Sequence, residues 1–156
     1  DGADKLYGGA GNDSLNGGNH NDSLYGDAGN DTLKAGDGND YLRGGAGADE
    51  LDGGSGVDRV NYEDSNAAVN IDLNRATQYG GYAQGDLLIG IERVYASNHA
   101  DTVSGSSGND SLWGMDGNDR LFGRDGNDVL YGQDGHDTLE GGNGTDQLRG
   151  GNDNDL

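Results

Sequence analysis

An aspartate recurs every nine residues, and this period decides what the chain can fold into. It runs through Asp4, Asp13, Asp22, Asp31, Asp40, Asp49 and Asp58. It resumes at Asp101, Asp110, Asp119, Asp128, Asp137, Asp146 and Asp155. Two residues after each aspartate stands one aliphatic residue, from Leu6 to Val60 in the first run and from Val103 to Leu148 in the second. The last repeat is broken, because Leu156 follows Asp155 directly. Glycine fills the fourth place of the nonapeptide in eleven of fourteen repeats; His20, His99 and Asp153 are the exceptions.

A nine-residue apolar period does not fit a helix, whose buried face returns every three to four residues. Glycine at this density would also cost roughly 1 kcal/mol at each helical position. Each unit reads instead as a six-residue glycine-rich turn followed by a three-residue strand such as Ser14-Leu15-Asn16. In that strand the central aliphatic points one way and its neighbours the other. Repeated, such units stack into a parallel solenoid. Two units, eighteen residues, make one coil, with the leucines inward between two thin sheets. The expected fold is all-β: a parallel β-roll with two repeat blocks, 1–61 and 96–156, joined by irregular strands and a loop over 62–95.

Composition alone would suggest disorder. Leu, Ile, Val and Phe make up only 25 of 156 residues, and the formal net charge is −20. Such chains rarely bury enough apolar surface to fold, yet they do not keep a strict period. The acid is 25 Asp against 4 Glu. Preference for the shorter carboxylate indicates fixed geometry close to the backbone. The charge argues against nucleic acid as a partner, whose phosphates would be repelled, and favours cations. There is no cysteine, and no apolar run approaches the roughly 18 residues of a membrane-spanning segment. The ends, DGADKLY and GGNDNDL, read as repeats cut midway, so a piece of a longer protein is expected.

One leucine per nine residues is too little burial to offset the ordering of nine backbones. Charge makes matters worse. Alternate aspartates such as Asp13 and Asp31 fall on the same edge of successive coils, about 4.8 Å apart. Two carboxylates at that spacing repel by ~1 kcal/mol in water and ~3–4 kcal/mol at an effective dielectric of 20. A divalent cation between them reverses the sign. Calcium suits the available ligands, because it takes six to eight oxygens, backbone carbonyls included, in tolerant geometry. Zinc would want His or Cys, and the chain has three His and no Cys. The fourteen in-phase aspartates are the candidate side-chain ligands. Candidate backbone ligands are the carbonyls of Gly9, Gly11, Gly29, Gly38, Gly45, Gly47, Gly108, Gly117, Gly126, Gly135 and Gly144. Bridging successive coils gives the pairs 4/22, 13/31, 22/40, 31/49 and 40/58, then 101/119, 110/128, 119/137, 128/146 and 137/155. Ten ions is the ceiling, and about six to eight the expectation on ligand counting.

Residues 8–16, 44–52, 53–61 and 141–149 match G-G-x-G-x-D-x-U-x in full, the calcium-binding nonapeptide of RTX (repeats-in-toxin) proteins. Most other repeats miss only at the first or second place, as at Asp27, Met115, Arg124 and Gln133. The stretch GDLLIGIERVYASNHADTVSG, residues 85–105, is similar to the segment that leads back into a repeat block in many RTX proteins. The resemblance implies a β-roll with Ca²⁺ in its turns. It also implies export by a type I secretion apparatus and folding outside the cell or at its surface, where calcium is abundant.

Between the blocks, from Asp58 to Asp101, the phase is lost for 43 residues. AVNIDL (Ala68–Leu73) alternates like a half-buried strand, LLIGIERVYA (Leu87–Ala96) is the most apolar stretch, and QYGGYAQGD reads as a loop. Wider coils joining two rolls are expected here, with more apolar burial and less calcium. The ninth place carries Tyr7, Tyr25, Trp113, Phe122 and Tyr131. Trp113 and Tyr131 should share one outer face, as cross-strand pairs that stiffen the sheet or as a stripe for stacking polysaccharide. No G-x-S-x-G, H-E-x-x-H or cysteine nucleophile is present, so a non-enzymatic module is expected.

Overall fold

The computed structural model describes residues 2–156. The first block supplies strands β1 (Lys5–Ala10), β2 (Ser14–Asn19), β3 (Ser23–Ala28), β4 (Thr32–Asp37), β5 (Tyr41–Ala46), β6 (Glu50–Ser55) and β7 (Arg59–Asn61). The middle supplies β8 (Asn70–Asp72), β9 (Leu87–Ile89) and β10 (Arg93–Tyr95). The second block supplies β11 (Thr102–Ser104), β12 (Ser111–Asp116), β13 (Arg120–Asp125), β14 (Val129–Asp134), β15 (Thr138–Asn143) and β16 (Gln147–Asn152). Among the described residues the only helical turn is a 3₁₀ turn at Gly81–Ala83. No helix is long and apolar enough to cross a membrane.

Strands within each block pair in parallel with the strand eighteen residues on, so Leu6 lies beside Leu24, Leu24 beside Leu42, and Leu15 beside Leu33. The chain is therefore a stack of coils with two walls, a parallel β-solenoid of about eight turns. One wall is a continuous eight-stranded sheet, β1-β3-β5-β7-β10-β12-β14-β16. The aliphatics of the two walls face each other, and Leu24, Leu33, Leu42, Leu51, Leu112, Leu121 and Leu130 are fully buried. This column is the core.

Most strands have six residues, where the repeat predicts three. The first three places of the nonapeptide, assigned to the turn by their glycines, also pair in register: Gly9 with Asp27 and Ala10 with Ala28. A glycine in left-handed conformation, such as Gly9 at φ 97°, bends the strand without ending its pairing. The turn proper is correspondingly short.

The opposite wall is broken into β2-β4-β6-β9 and β8-β11-β13-β15. The chain leaves β7, lays down β8 beside β11, and returns to lay down β9 beside β6. Only β7 separates β5 from β10 in the continuous wall, whereas both β9 and β8 lie between β6 and β11. One extra strand thus enters this wall, and β9 and β8 do not pair. Returning chain covers the gap. Asn70 and Tyr79 form an antiparallel bridge, the Asp72 N–H donates to Gln78 Oε1 at 2.8 Å, and the Gln78 N–H donates to the Asp86 carbonyl at 2.8 Å. Tyr62, Val69, Ile71, Ala83, Leu88, Ile91, Val94 and Ala96 are buried around it, the wider apolar coil the middle segment predicts.

Candidate metal centre

The turns at the two long edges of the stack carry the aspartates in two columns. One column is Asp4, Asp22, Asp40, Asp58, then Asp110, Asp128 and Asp146. The other is Asp13, Asp31 and Asp49, then Asp101, Asp119, Asp137 and Asp155. Each carboxylate reaches back one coil. Asp13 N–H donates to Asp31 Oδ1 at 2.8 Å and Asp22 N–H to Asp40 Oδ1 at 2.7 Å. The same bond joins Asp4 to Asp22, Asp31 to Asp49, Asp40 to Asp58, Asp101 to Asp119, Asp110 to Asp128, Asp119 to Asp137, Asp128 to Asp146 and Asp137 to Asp155. Aspartate is the residue whose side chain spans one coil spacing while its own amide stays in line; glutamate is a methylene too long for a regular column.

The second carboxylate oxygen is left over. Oδ2 of Asp13, Asp22, Asp31, Asp40, Asp49, Asp58, Asp119, Asp128 and Asp137, and Oδ1 of Asp110, are buried without a hydrogen-bond partner. These oxygens face backbone carbonyls in a cradle made by the first glycine of the repeat. A Cβ on Gly8 would lie 2.9 Å from both Asp13 Oδ2 and the Gly26 carbonyl oxygen. At Gly123 such a Cβ would collide with Asp128 Oδ2 and the Gly141 carbonyl. Acceptors converge there with no donor between them, an arrangement that calls for a cation.

Burial makes the charges costly. It pushes the Asp58 and Asp110 carboxyls up to about 6 and that of Asp119 to about 7. The same cause raises Asp40, Asp49, Asp101, Asp128 and Asp137, partly offset by the amide each one binds. Among the described residues no three His, Cys, Asp or Glu side chains converge. An ion here would therefore draw most of its ligands from backbone carbonyls. That donor set fits a hard oxygen-seeking cation of variable coordination such as calcium, and excludes a nitrogen- or sulfur-seeking one.

The predicted carbonyl ligands divide in two. Gly9, Gly11, Gly29, Gly38, Gly45, Gly47, Gly117, Gly126, Gly135 and Gly144 have φ between 97° and 156°, and Gly108 does not. Carbonyls at these turn positions point along the stack, so a Cβ on Gly38 would meet the His20 carbonyl and one on Gly117 the His99 carbonyl. Six non-glycine residues are held in the same left-handed region: His20, Asp27, Met115, Arg124, Gln133 and Asp153. Each costs on the order of 1–3 kcal/mol, a strain the stacked turns impose.

Asp101 and Asp110 differ from the rest. Ser97 donates its N–H (2.7 Å) and hydroxyl to Asp101, whose Oδ1 also takes the Val69 N–H at 2.7 Å. Both Asp101 oxygens are engaged. Ser106 donates its N–H and hydroxyl to Asp110 Oδ2 alone, and Asp110 Oδ1 stays unpartnered. Serine at the second place of the repeat is the visible signal, since a serine side chain can satisfy a nearby carboxylate locally. Asp4 is exposed, and Asp146 and Asp155 are half-buried at the end of the stack.

Two acids in these columns escaped the nine-residue count. Asp86 Oδ1 takes the Asp49 N–H at 2.9 Å, and Glu92 Oε2 takes the Asp58 N–H at 2.9 Å. Both head a D/E-x-aliphatic triplet, Asp86-Leu87-Leu88 and Glu92-Arg93-Val94, and Glu92 lies nine residues before Asp101. A second missed column is asparagine at the fifth place: the Asn30 N–H donates to Asn12 Oδ1 and the Asn127 N–H to Asn109 Oδ1, each at 2.8 Å.

Aromatic rings stack on the continuous wall. Tyr95–Trp113 and Trp113–Tyr131 have centroids 4.3 and 5.2 Å apart with interplanar angles of 17° and 10°. Tyr7 stacks on Tyr25 at 4.8 Å, and Arg149 caps Tyr131 at 5.4 Å. The ring faces are turned to one another along the stack.

The family profile of the RTX calcium-binding nonapeptide repeat matches the chain in four copies, at residues 1–33, 25–60, 95–130 and 122–156. No curated protein matches the chain. With the profile covering both blocks, and the aspartate columns and glycine cradles lying where its repeats fall, the chain belongs to the RTX calcium-binding nonapeptide-repeat family.

Proposed function

We propose that this is a calcium-folded β-roll module of a protein exported by type I secretion, without catalytic activity of its own, extended where calcium is scarce and rigid outside the cell. The observation that carries the reading is the row of buried carboxylates with one oxygen tied to the next coil and the other unpartnered. When bound, calcium supplies the positive charge those oxygens lack. The protein does the rest. Asp Oδ1 fixes the coil spacing through the amide one turn back, left-handed turn residues aim carbonyls along the stack, and the first glycine leaves room beside Oδ2.

The turns that combine an unpartnered carboxylate with left-handed geometry bound eight gaps: 4/22, 22/40, 40/58, 13/31, 31/49, 119/137, 128/146 and 137/155. The turns before Asp101 and Asp110 carry serine and hold no left-handed residue, so they are left out and eight ions is the proposed loading. Loosely shared carbonyl ligands suit the ~10⁻⁴–10⁻³ M affinity of extracellular calcium modules. Circular dichroism tests this. Millimolar calcium should induce the strand signal and a chelator should abolish it; a chelated protein that stays folded and melts cooperatively would refute the proposal. Stacking of polysaccharide on Trp113 and Tyr131 is not favoured, because neighbouring rings cover their faces.

A further inference from the structure

On the continuous wall no acid flanks the buried aliphatic of any strand; Asp27, Asp116 and Asp134 lie further along β3, β12 and β14. The flanking positions point outward. They hold Lys5, Arg43, Arg59, Arg93 and Arg149 together with the aromatic rings. The opposite wall presents Glu50, Asp52, Asp72 and Glu140 at the equivalent positions. In a chain of net charge −20, such a row is a strong local reversal.

Two of its arginines are placed against each other. Arg59 and Arg93 are direct register partners on β7 and β10, about 4.8 Å apart along the sheet. Like charges directly opposite are destabilising. Among the described residues neither makes an ion pair or donates a side-chain hydrogen bond, whereas Arg43 on the same face is tied to Asp27 and Asp64. The Arg59 guanidinium lies against the rings of Tyr41 and Tyr95, its Cζ 4.6 and 5.0 Å from their centroids. Those contacts use the face of the group and leave its N–H donors without a protein acceptor among the described residues. The pair lines a cavity of about 220 Å³ with Tyr41 and Tyr95. The one acid at this cavity is the column residue Asp40, whose Oδ1 takes the Asp22 N–H and whose Oδ2 is the oxygen assigned to calcium above.

We infer that Arg59 and Arg93 form an oxyanion site that takes a carboxylate of an acidic polysaccharide laid on this wall. Two paired guanidinium groups offer the donor fork that a carboxylate matches. Tyrosine hydroxyls beside them suit sugar hydroxyls. Charge density favours such a polymer over nucleic acid: a uronate carries one charge per sugar, whereas duplex DNA carries one per about 1.7 Å and would be repelled by the acidic turns. The proposal rests on the calcium-folded reading, because β7 and β10 must pair for the site to exist.

Trp113, the only tryptophan, lies on this face and reports occupancy. Trigalacturonate, maltotriose and sodium sulfate are titrated into the protein in millimolar calcium, with Trp113 fluorescence and calorimetry as readouts. The trigalacturonate should bind with an affinity that falls as salt is added, maltotriose should not bind, and sulfate should compete only weakly. The double variant Arg59→Gln/Arg93→Gln should lose at least tenfold in affinity, and Arg120→Gln on the other wall should lose nothing. Equal binding by the double variant, or no binding by folded wild type, overturns the site. Duplex DNA competing as well as trigalacturonate overturns the polysaccharide assignment, as does self-association in sedimentation that the double variant abolishes. Circular dichroism on the same samples separates the two failures. Folded, non-binding protein refutes the anion site alone; protein that gains no strand signal in calcium refutes the folding reading, and this site with it.

Discussion

The Tyr62 hydroxyl donates a 2.8 Å hydrogen bond to Asp86 Oδ2, and Asp86 Oδ1 takes the Asp49 amide at 2.9 Å. Asp86 thus stands in the aspartate column with both oxygens satisfied by protein. A phenol occupies the place where the other columns present a bare oxygen. Burial still lifts the Asp86 carboxyl to about 7, with Tyr62 and the Asp49 amide pulling the other way. Tyr62→Phe would strand this oxygen, at a cost of about 1–3 kcal/mol. Because no metal is involved, the loss should persist in saturating calcium. Denaturant melts of both proteins at several calcium concentrations measure it, and a midpoint that calcium restores to the wild-type value would count against the assignment.

Asp31→Asn separates the two oxygens of a column residue. The amide oxygen can keep the Asp13 N–H, while the nitrogen replaces the unpartnered Oδ2 beside the Gly44 carbonyl. The variant should bind fewer calcium ions and need severalfold more calcium to fold, yet form structure more readily in chelator. Asp101→Asn should leave the calcium stoichiometry unchanged. Calorimetric titration of both variants decides the matter; equal losses from the two would remove the distinction between serine-capped and open carboxylates.

Acid and calcium should act in opposite senses. Burial raises Asp58 and Asp110 to about 6 and Asp119 to about 7, from 3.8. The metal-free fold therefore holds more protons than the unfolded chain across this interval. Its stability is fullest below about pH 4 and is lost as pH rises through 6 to 7. In chelator, strand content should appear on acidification and fade towards neutrality. With calcium present, protons compete for the same oxygens, so the calcium midpoint should rise as pH falls. A metal-free protein that gains structure towards alkaline pH would contradict the sign.

Backbone strain offers a further check. Met115 sits at φ 77° where seven other repeats, Gly45 and Gly54 among them, have glycine. Met115→Gly should relieve about 1 kcal/mol in calcium-loaded protein. Gly47→Ala should do the reverse, since its Cβ would collide with the Gly29 carbonyl at φ 156°. Thermal melts in calcium read both.

The aspartate period and its aliphatic partner made the stacking, the eighteen-residue register and the inward leucines legible before any coordinates, because each depends on residues that repeat. What escaped was carried by residues that repeat imperfectly. Asp86 and Glu92 hold column positions, but the loop at 73–86 shifts the count before Asp86, and Glu92 differs in residue type. Ser97 and Ser106 resemble any turn serine until they are seen to donate to their aspartates. Strand length was underestimated because glycine suggests a break, and here it bends a strand that goes on pairing. The basic and aromatic row beside the buried aliphatics of the continuous wall was invisible because alternate repeats must be sorted to opposite sides before its composition emerges.

The unequal walls have a mechanical meaning. A lengthwise pull loads an uninterrupted run of eight strands on one side, but two runs of four on the other. Tension therefore concentrates at the seam where β9 meets β8, held by Gln78, Tyr79 and the Tyr62 clamp. Under load the molecule should gape there first, like a book opening about an intact spine, with its two halves still bound on the other side.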